Sequence, residues 1–310
     1  MVWRLSDMPD QSGRVFLITG ANSGIGFEAA KALARRGARV VMACRNVDKA
    51  EAVRLEVGDS AEVRELDLGS LASVRAFTSG WDGPIDVLVN NAGIMAVPFA
   101  RTVDGFESQF GTNFLGHFAL TGLLLPRVTD RVVTLSSGVH RMGRIDLRDP
   151  NFEHRRYQRW IAYGQSKLAD LMFAYELQRR LLLAGSPVRS MAAHPGYAAT
   201  NLQRHLGAAT STGQDWMQRI GLVQDAAGGA LPTLYAASAP DLPGGSYVGP
   251  SGPLEQTGPP RIVGSSAASR DLDTQYALWE LAVRLTGVDP GLPGTVTGLT
   301  TSGEASHTRR

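Results

Sequence analysis

Runs of consecutive apolar residues alternate with stretches of helical periodicity along most of the chain. RVFLIT (14–19), ARVVMAC (38–44), AEVREL (61–66), IDVLVN (85–90), RVVTLS (131–136) and VRSMAAH (188–194) are rich enough in apolar residues for strands covered on both faces. Between them lie helical patterns, as at 26–36 and in NVDKAEAVRLEV after the second run. Strand and helix in repeated alternation predict a parallel sheet with right-handed crossovers. A further short strand is expected at GGSYVG (244–249). A last helix is expected at 272–286, where Leu278, Leu281, Ala282 and Leu285 share a face and Gly287 supplies the stop. The pattern predicts an α/β fold, a Rossmann-type doubly wound parallel sheet of about seven strands with helices on both faces. It forms a single domain over residues 1–290.

Two stretches break the rhythm. Residues 138–160 and 197–222 each follow a strand, at the carboxyl edge where open α/β sheets bind ligands, and both are expected to shape a substrate site. In the second, Leu202, Leu206, Trp216, Met217, Ile220 and Leu222 lie among Gly, Ser and Thr. This suits a mobile lid over a lipophilic substrate, and packing of the same side chains on the sheet's edge is the competing reading. The arginines at 141, 144, 148, 155, 156 and 159 alternate with Asp146, Asp149 and Glu153, which predicts a solvated face. Residues 291–310, rich in Gly, Thr and Ser, are expected to form a flexible tail.

Composition narrows the function classes. A net charge of +2, with Lys and Arg nowhere concentrated, argues against a nucleic-acid partner. The only cysteine, Cys44, excludes a disulfide framework and a Cys-based zinc site, and reads as a small buried residue. Histidines 117, 140, 154, 194, 205 and 307 lack metal-ligand spacing, so no metal is expected; His140 and His194 read as structural. The N-terminus has no apolar leader and no run reaches about 18 apolar residues, so no transmembrane segment and a cytoplasmic location are expected.

The first strand runs into TGANSGIG, which opens the first helix. Gly20 permits the tight turn, Gly24 lets the backbone approach a pyrophosphate, and Gly26 lets helix and strand pack closely; Asn22, Ser23 and Ile25 complete the loop. Between the first strand and first helix of a βαβ unit this pattern points to a dinucleotide. The second strand ends MACRN, with Cys44 where an acid would greet a ribose 2′-hydroxyl and Arg45 beside it. A guanidinium suits a 2′-phosphate, so NADP(H) is expected in preference to NAD(H). A merely solvated Arg45 is the competing reading.

YGQSK puts Tyr163 and Lys167 one helical turn apart, the spacing of an acid/base phenol with a cation to tune it, or of an ordinary helix start. With LDL (66–68), NNAG (90–93), TNFLGHF (112–118), TLSS (134–137) and HPG (194–196), these motifs occur in an order that resembles the short-chain dehydrogenase/reductase family over about residues 12–290. The segments GANSGIGFEAA, ACRN, SSGVH and ALWELAVRLTG look most like its retinol-dehydrogenase and protochlorophyllide-reductase-like branch. The resemblance implies that Tyr163 is the catalytic acid/base, Lys167 its partner, Ser137 the carbonyl-orienting hydroxyl, and Asn113 the support of a proton-relay water. Asp67 and Leu68 would contact adenine. Asn90 to Gly93, with Asn90, Ala92 and Gly93 as the contacts, would wall the adenosine ribose, and Thr200 would lie near the nicotinamide carboxamide and phosphates. The chain departs from the family in placing Tyr163 26 positions after Ser137, which reads as an insertion; Ser136 is the alternative serine.

The activity so implied is NADP(H)-dependent interconversion of a carbonyl and an alcohol on a small lipophilic substrate. Light-driven reduction of a carbon–carbon double bond and a non-catalytic NADP(H)-binding sensor are the alternatives. Many relatives are dimers or tetramers built through helices on the sheet's flank and others are monomers, so a homo-oligomer stays open.

Overall fold

The computed structural model describes residues 2–197 and 224–294. Among these, eight strands form one sheet: β1 (Val15–Thr19), β2 (Arg39–Cys44), β3 (Ala61–Glu65), β4 (Ile85–Asn90), β5 (Val128–Leu135), β6 (Arg189–Ala193), β7 (Tyr247–Pro250) and β8 (Pro260–Ile262). Their order is β3-β2-β1-β4-β5-β6-β7-β8, parallel throughout except for β7 with β8. The sheet has one strand more than the apolar pattern indicates. β8 is only Pro-Arg-Ile with two of its residues exposed, so it carries no buried run; its pairing with β7 defines it.

Seven α-helices among the described residues cover the sheet: α1 (Gly24–Ala34), α2 (Val47–Val57), α3 (Leu71–Ser79), α4 (Gly116–Leu124), α5 (Arg159–Leu183), α6 (Ala226–Ser238) and α7 (Leu272–Thr286). Consecutive strand residues point to opposite faces, which is why the runs are apolar at every position. Phe16, Ile18, Met42 and Val89 pack with Ala29, Leu33, Ala50 and Leu234 under α1, α2 and α6. Leu17, Val41, Leu88 and Val132 pack with Phe77, Phe118, Phe173 and Trp279 under α3, α4, α5 and α7. Asp271 caps α7 by accepting from the Thr274 N–H, and Gly287 ends it in the left-handed conformation at φ 62°.

In the 138–160 segment Arg141, Arg144, Arg148, Arg156, Arg159 and Glu153 are exposed as the charge pattern predicts, while Asp149 and Arg155 turn inward. The Asp149 carboxylate accepts from the backbone N–H groups of Glu153, His154 and Arg155. Arg155 lies 3.7 Å over the Phe152 ring and donates to Gln165 Oε1 at 2.6 Å. An aromatic platform and a buried amide on α5 draw this guanidinium inward. Beyond α7, Leu292 still packs against the core. Residues 295–310 and most of the expected lid, 198–222, lie outside the described residues. Among the described residues no helix is long and apolar enough to cross a membrane.

Candidate active site

The strand order reverses between β1 and β4, and at such a switch point the connections diverge to opposite faces and leave a crevice at the carboxyl edge. A cleft of about 490 Å³ lies there, bordered by Gly20, Asn22, Ser23, Gly24, Ile25 and Gly26, and further along by Arg45, Asp67, Leu68, Ala92, Gly93, Tyr163 and Lys167. Gly20 is held at φ +67°, and a Cβ there would sit 2.9 Å from Ala92 Cβ. At Gly26 a side chain would collide with the Asn91 amide. Ser23 begins α1 without a side-chain cap bond, so the first-turn N–H groups of an 11-residue helix remain available. Bare backbone, close approach and an uncapped helix N-terminus fit a pyrophosphate.

Beside the glycine loop, whose Gly20 N–H donates to the Ala43 carbonyl at 2.8 Å, exposed Arg45 is joined on the cleft wall by Asn46 and Lys49. Asn46 Oδ1 caps α2 by accepting from the Lys49 N–H at 2.7 Å, which sets Lys49 in the first turn. Neither residue stood out in the sequence, although Lys49 follows Arg45 at the four-residue spacing of a helix. Cys44 is buried on β2, its thiol pushed up to about 11 by burial. Asp67 Oδ1 accepts from the Gly69 N–H at 2.8 Å. Asn90 turns away from the cleft: its amide donates to Thr121 and Thr134 hydroxyls in the interior. Asn91, the next residue of the expected stretch, borders the cleft with Ala92 and Gly93, its amide donating to the Thr19 carbonyl at 2.7 Å.

Four of the expected catalytic residues converge at the β4–β5 side. Tyr163 and Lys167 project from α5 and are both buried. The Ser137 hydroxyl lies close enough to the Tyr163 phenol to draw its pKa down, whereas Ser136 donates to the Lys167 carbonyl at 2.7 Å. The two serines differ in surroundings: Ser137 lies beside the phenol, whereas Ser136, tied to the helix backbone, is the one that borders the cleft. His140 fixes Ser137 from below: its Nδ1 meets the Ser137 carbonyl at 2.7 Å, and its Nε2 accepts from the Ser266 N–H at 3.2 Å. With Nε2 accepting, the ring is neutral, and burial holds its pKa at about 4. The long connection before Tyr163 returns tightly, since a Cβ at Gly143 would lie 2.9 Å from the Gly164 carbonyl carbon.

Asn113 sits in a π-helical turn, Phe110–Leu115, ahead of α4. Its amide accepts from Ile94 N–H at 2.8 Å and donates to the Ile94 carbonyl and the Ser166 hydroxyl, bolting the loop after β4 to the residue preceding Lys167. Lys167 Nζ donates to Asp170 Oδ2 at 2.8 Å and to the Leu135 carbonyl at 3.0 Å. The Tyr163 phenol is pushed above its ordinary range, because burial outweighs the pull of Lys167 and Ser137, and the Asp170 charge adds to the rise. Lys167 still draws the phenol down, but burial is the larger effect. Asp170 went unnoticed in the sequence, although three-residue spacing from Lys167 was a readable signal. Thr200 lies outside the described residues. Among the described residues no group of three or more His, Cys, Asp or Glu could hold a metal.

Residues 14–211 match the family model described as short chain dehydrogenase. The chain is 41% identical over 302 residues to polyprenol dehydrogenase of Mus musculus, covering 92% of this chain and 87% of that protein. It is 39% identical to retinol dehydrogenase 13 of Homo sapiens, covering 89% and 86%. A crystal structure of an uncharacterized protein from Mycobacterium Paratuberculosis superposes with a TM-score of 0.81 at 52% identity, over 93% of this chain and 99% of that one. With the glycine loop, Tyr163 and Lys167 gathered around one cleft, the chain belongs to the short chain dehydrogenase family, in its retinol-dehydrogenase-like branch.

Proposed function

We propose that this protein is an NADP(H)-dependent oxidoreductase that interconverts a carbonyl and an alcohol on a lipophilic substrate. The observation that carries this reading is the cleft itself, with a phosphate-type glycine loop and two cations at one end and Tyr163 with Lys167 at the other. The nicotinamide, when bound, supplies or accepts the hydride at the substrate carbon. In the reducing direction, the Ser137 hydroxyl orients the carbonyl, and the Tyr163 phenol gives its proton to the oxygen as the hydride reaches the carbon. Tyr163 is left as a phenolate beside the Lys167 ammonium, which stabilises it until a proton returns. Asn113 acts through position, since its amide is fully engaged with Ile94 and Ser166.

Arg45 supports the phosphorylated dinucleotide, as its planar fork matches a 2′-phosphate, and Lys49 adds a second cation at the same end. For the substrate, the support comes from two sides. Similar proteins are named for retinol and polyprenol, alcohols with apolar chains. In this chain Trp160 lies edge-on to Tyr163 at 6.1 Å, and Met142 and Ile161, 71% and 50% exposed, sit on the segments that carry Ser137 and Tyr163.

Turnover of straight-chain aldehydes with NADPH and NADH tests the proposal. kcat/KM is expected to rise with chain length, by up to about 0.8 kcal/mol per buried methylene, and to favour NADPH. A flat profile, or preference for small charged carbonyl compounds, removes the lipophilic pocket. Equal use of NADH removes the cofactor assignment.

A further inference from the structure

Side chains bolt down the backbone after β4 at Ile94, Ala96 and Val97. Asn113 accepts from the Ile94 N–H and donates to the Ile94 carbonyl. Gln109 Oε1 accepts from the Ala96 N–H at 2.7 Å, and the Tyr157 hydroxyl donates to the Val97 carbonyl at 2.9 Å. Two of the bolts are joined to each other and to the start of α5, because the Gln109 amide donates to the Tyr157 hydroxyl at 2.9 Å and to the Arg159 carbonyl at 3.0 Å. Glu107 fixes Gln109 in turn, its buried carboxylate accepting from the Gln109 and Phe110 N–H groups. Ala96 is thereby kept at φ 50°, where a Cβ crowds the backbone and an alanine is strained. Strain of this kind persists only where the surroundings over-determine it, and it gathers at working sites.

Met95 lies between the bolts, half-buried, and borders the cleft. Its place is the reacting end. A Cβ at Gly93 would lie 3.6 Å from Lys167 Nζ, and Met95 is two residues further, about 7 Å of chain at most. We infer that Met95 is a specificity-determining residue, the side chain that packs against the carbon skeleton of the substrate beside the reacting carbonyl, and that Gln109 and Tyr157 are the positioning residues that hold it there. The inference rests on the reading of this cleft as the seat of carbonyl–alcohol interconversion. An unbranched thioether suits an apolar skeleton and adapts to it by changing rotamer. Its backbone cannot retreat without pulling Ala96 from Gln109 and Val97 from Tyr157. The width beside the reacting carbon is therefore set by the size of the side chain at position 95, which admits slender skeletons over those branched next to the carbonyl.

kcat/KM with NADPH is compared for hexanal and cyclohexanecarbaldehyde. In Met95→Ala the ratio is expected to move toward the cyclic aldehyde by at least about tenfold, and in Met95→Phe away from it. Gln109→Leu, which abandons the Ala96 N–H, should move it the same way as Met95→Ala. Combined with Met95→Ala it should add less than it does alone, as for residues that act through one another. If Gln109→Leu lacks a cooperative melt, Tyr157→Phe loses only the hydroxyl that meets Val97 and is judged by the same ratio. Ratios at the wild-type value in both Met95 variants overturn the inference, as does equal loss of both aldehydes in the Gln109 and Tyr157 variants. Met95→Cys separates the result from the reaction itself. Cys44, the only native cysteine, is buried with its thiol pushed up to about 11, so iodoacetamide should reach the new thiol alone. With NADP saturating, decanol is expected to slow that alkylation severalfold. A wild type that turns over no aldehyde would defeat the proposed reaction, whereas alkylation that decanol does not slow would overturn the role of Met95.

Discussion

Tyr163→Phe deletes one hydroxyl and leaves a ring that can keep its edge-on contact with Trp160, so it separates proton chemistry from packing. kcat is expected to fall at least about 100-fold, the scale of a lost general acid, with NADPH affinity nearly unchanged. Near-normal turnover would mean that another group supplies the proton. Lys167→Met should reduce both kcat and NADPH affinity, because the same ammonium acts on Tyr163 and borders the cleft. At the opposite end, Arg45→Asp is expected to weaken NADPH strongly while sparing or improving NADH, since a carboxylate repels a 2′-phosphate and accepts from a 2′-hydroxyl. Equilibrium binding of the two dinucleotides checks this; an unchanged ratio would leave Arg45 a solvated side chain.

The π-helical turn before α4 shows how an element can be shaped by one side chain. His117 lies four residues after Asn113, and its Nδ1 meets the Asn113 carbonyl at 2.7 Å where an α-helix would bring a backbone N–H. Its Nε2 meets Thr19 Oγ1 at 2.9 Å, and that hydroxyl also accepts from the Asn91 and Ala92 N–H groups, so the turn is tied to the loops after β1 and β4. Burial depresses His117 from 6.5 to about 3. As pH falls, the unfolded chain takes up this proton first, so the contribution is complete above about 6.5 and lost progressively below it, amounting to about 2 kcal/mol by about pH 5. His140, held at about 4, has the same sign. Asp170, raised from 3.8 to about 6, has the opposite one, its contribution declining as pH rises through that interval. Thermal melts of wild type and His117→Gln at about pH 7 and 5 should show the larger acid loss in wild type; equal losses would mean that His117 is protonated in place. The glycine loop and the Tyr163–Lys167 spacing were legible because their geometry is local to a few residues. The spacings of Asp170 from Lys167 and of Lys49 from Arg45 stood in the sequence, but their meaning, like the inward turn of Arg155, depends on partners, burial or a cleft wall that only the fold supplies. β8 was invisible for the same reason.

Across the whole molecule, the last helix shows how far a readable element can differ from its role. The periodicity predicts 272–286 and the helix spans Leu272–Thr286, yet nothing in that stretch says what it covers. It lies on the flank made by α4 and α5. Trp279 meets Phe118 edge-on at 5.0 Å and stacks on Phe173 at 6.0 Å, with the Arg180 guanidinium 4.4 Å over its ring. Arg180 also pairs with Glu176 and Glu280, binding α7 to α5. The apolar surface of that flank is therefore used within the chain, and an assembly through it would have to engage the outer face of α7. Helix α5 carries Tyr163 and Lys167 at its start and meets Trp279 through Phe173, so the same element joins the reacting end of the cleft to this seam. Trp279→Ala removes a buried indole from an aromatic cluster and is expected to cost about 3–5 kcal/mol. That corresponds to a melting temperature lower by on the order of 10 °C. Well below the melt, NADPH affinity and kcat should stay near wild type, because Phe173 lies well over one helical turn beyond Lys167 on α5. A melting temperature within about 2 °C of wild type would show that the seam contributes little. A lowered kcat in a fully folded variant would show instead that packing under α7 sets the position of Lys167.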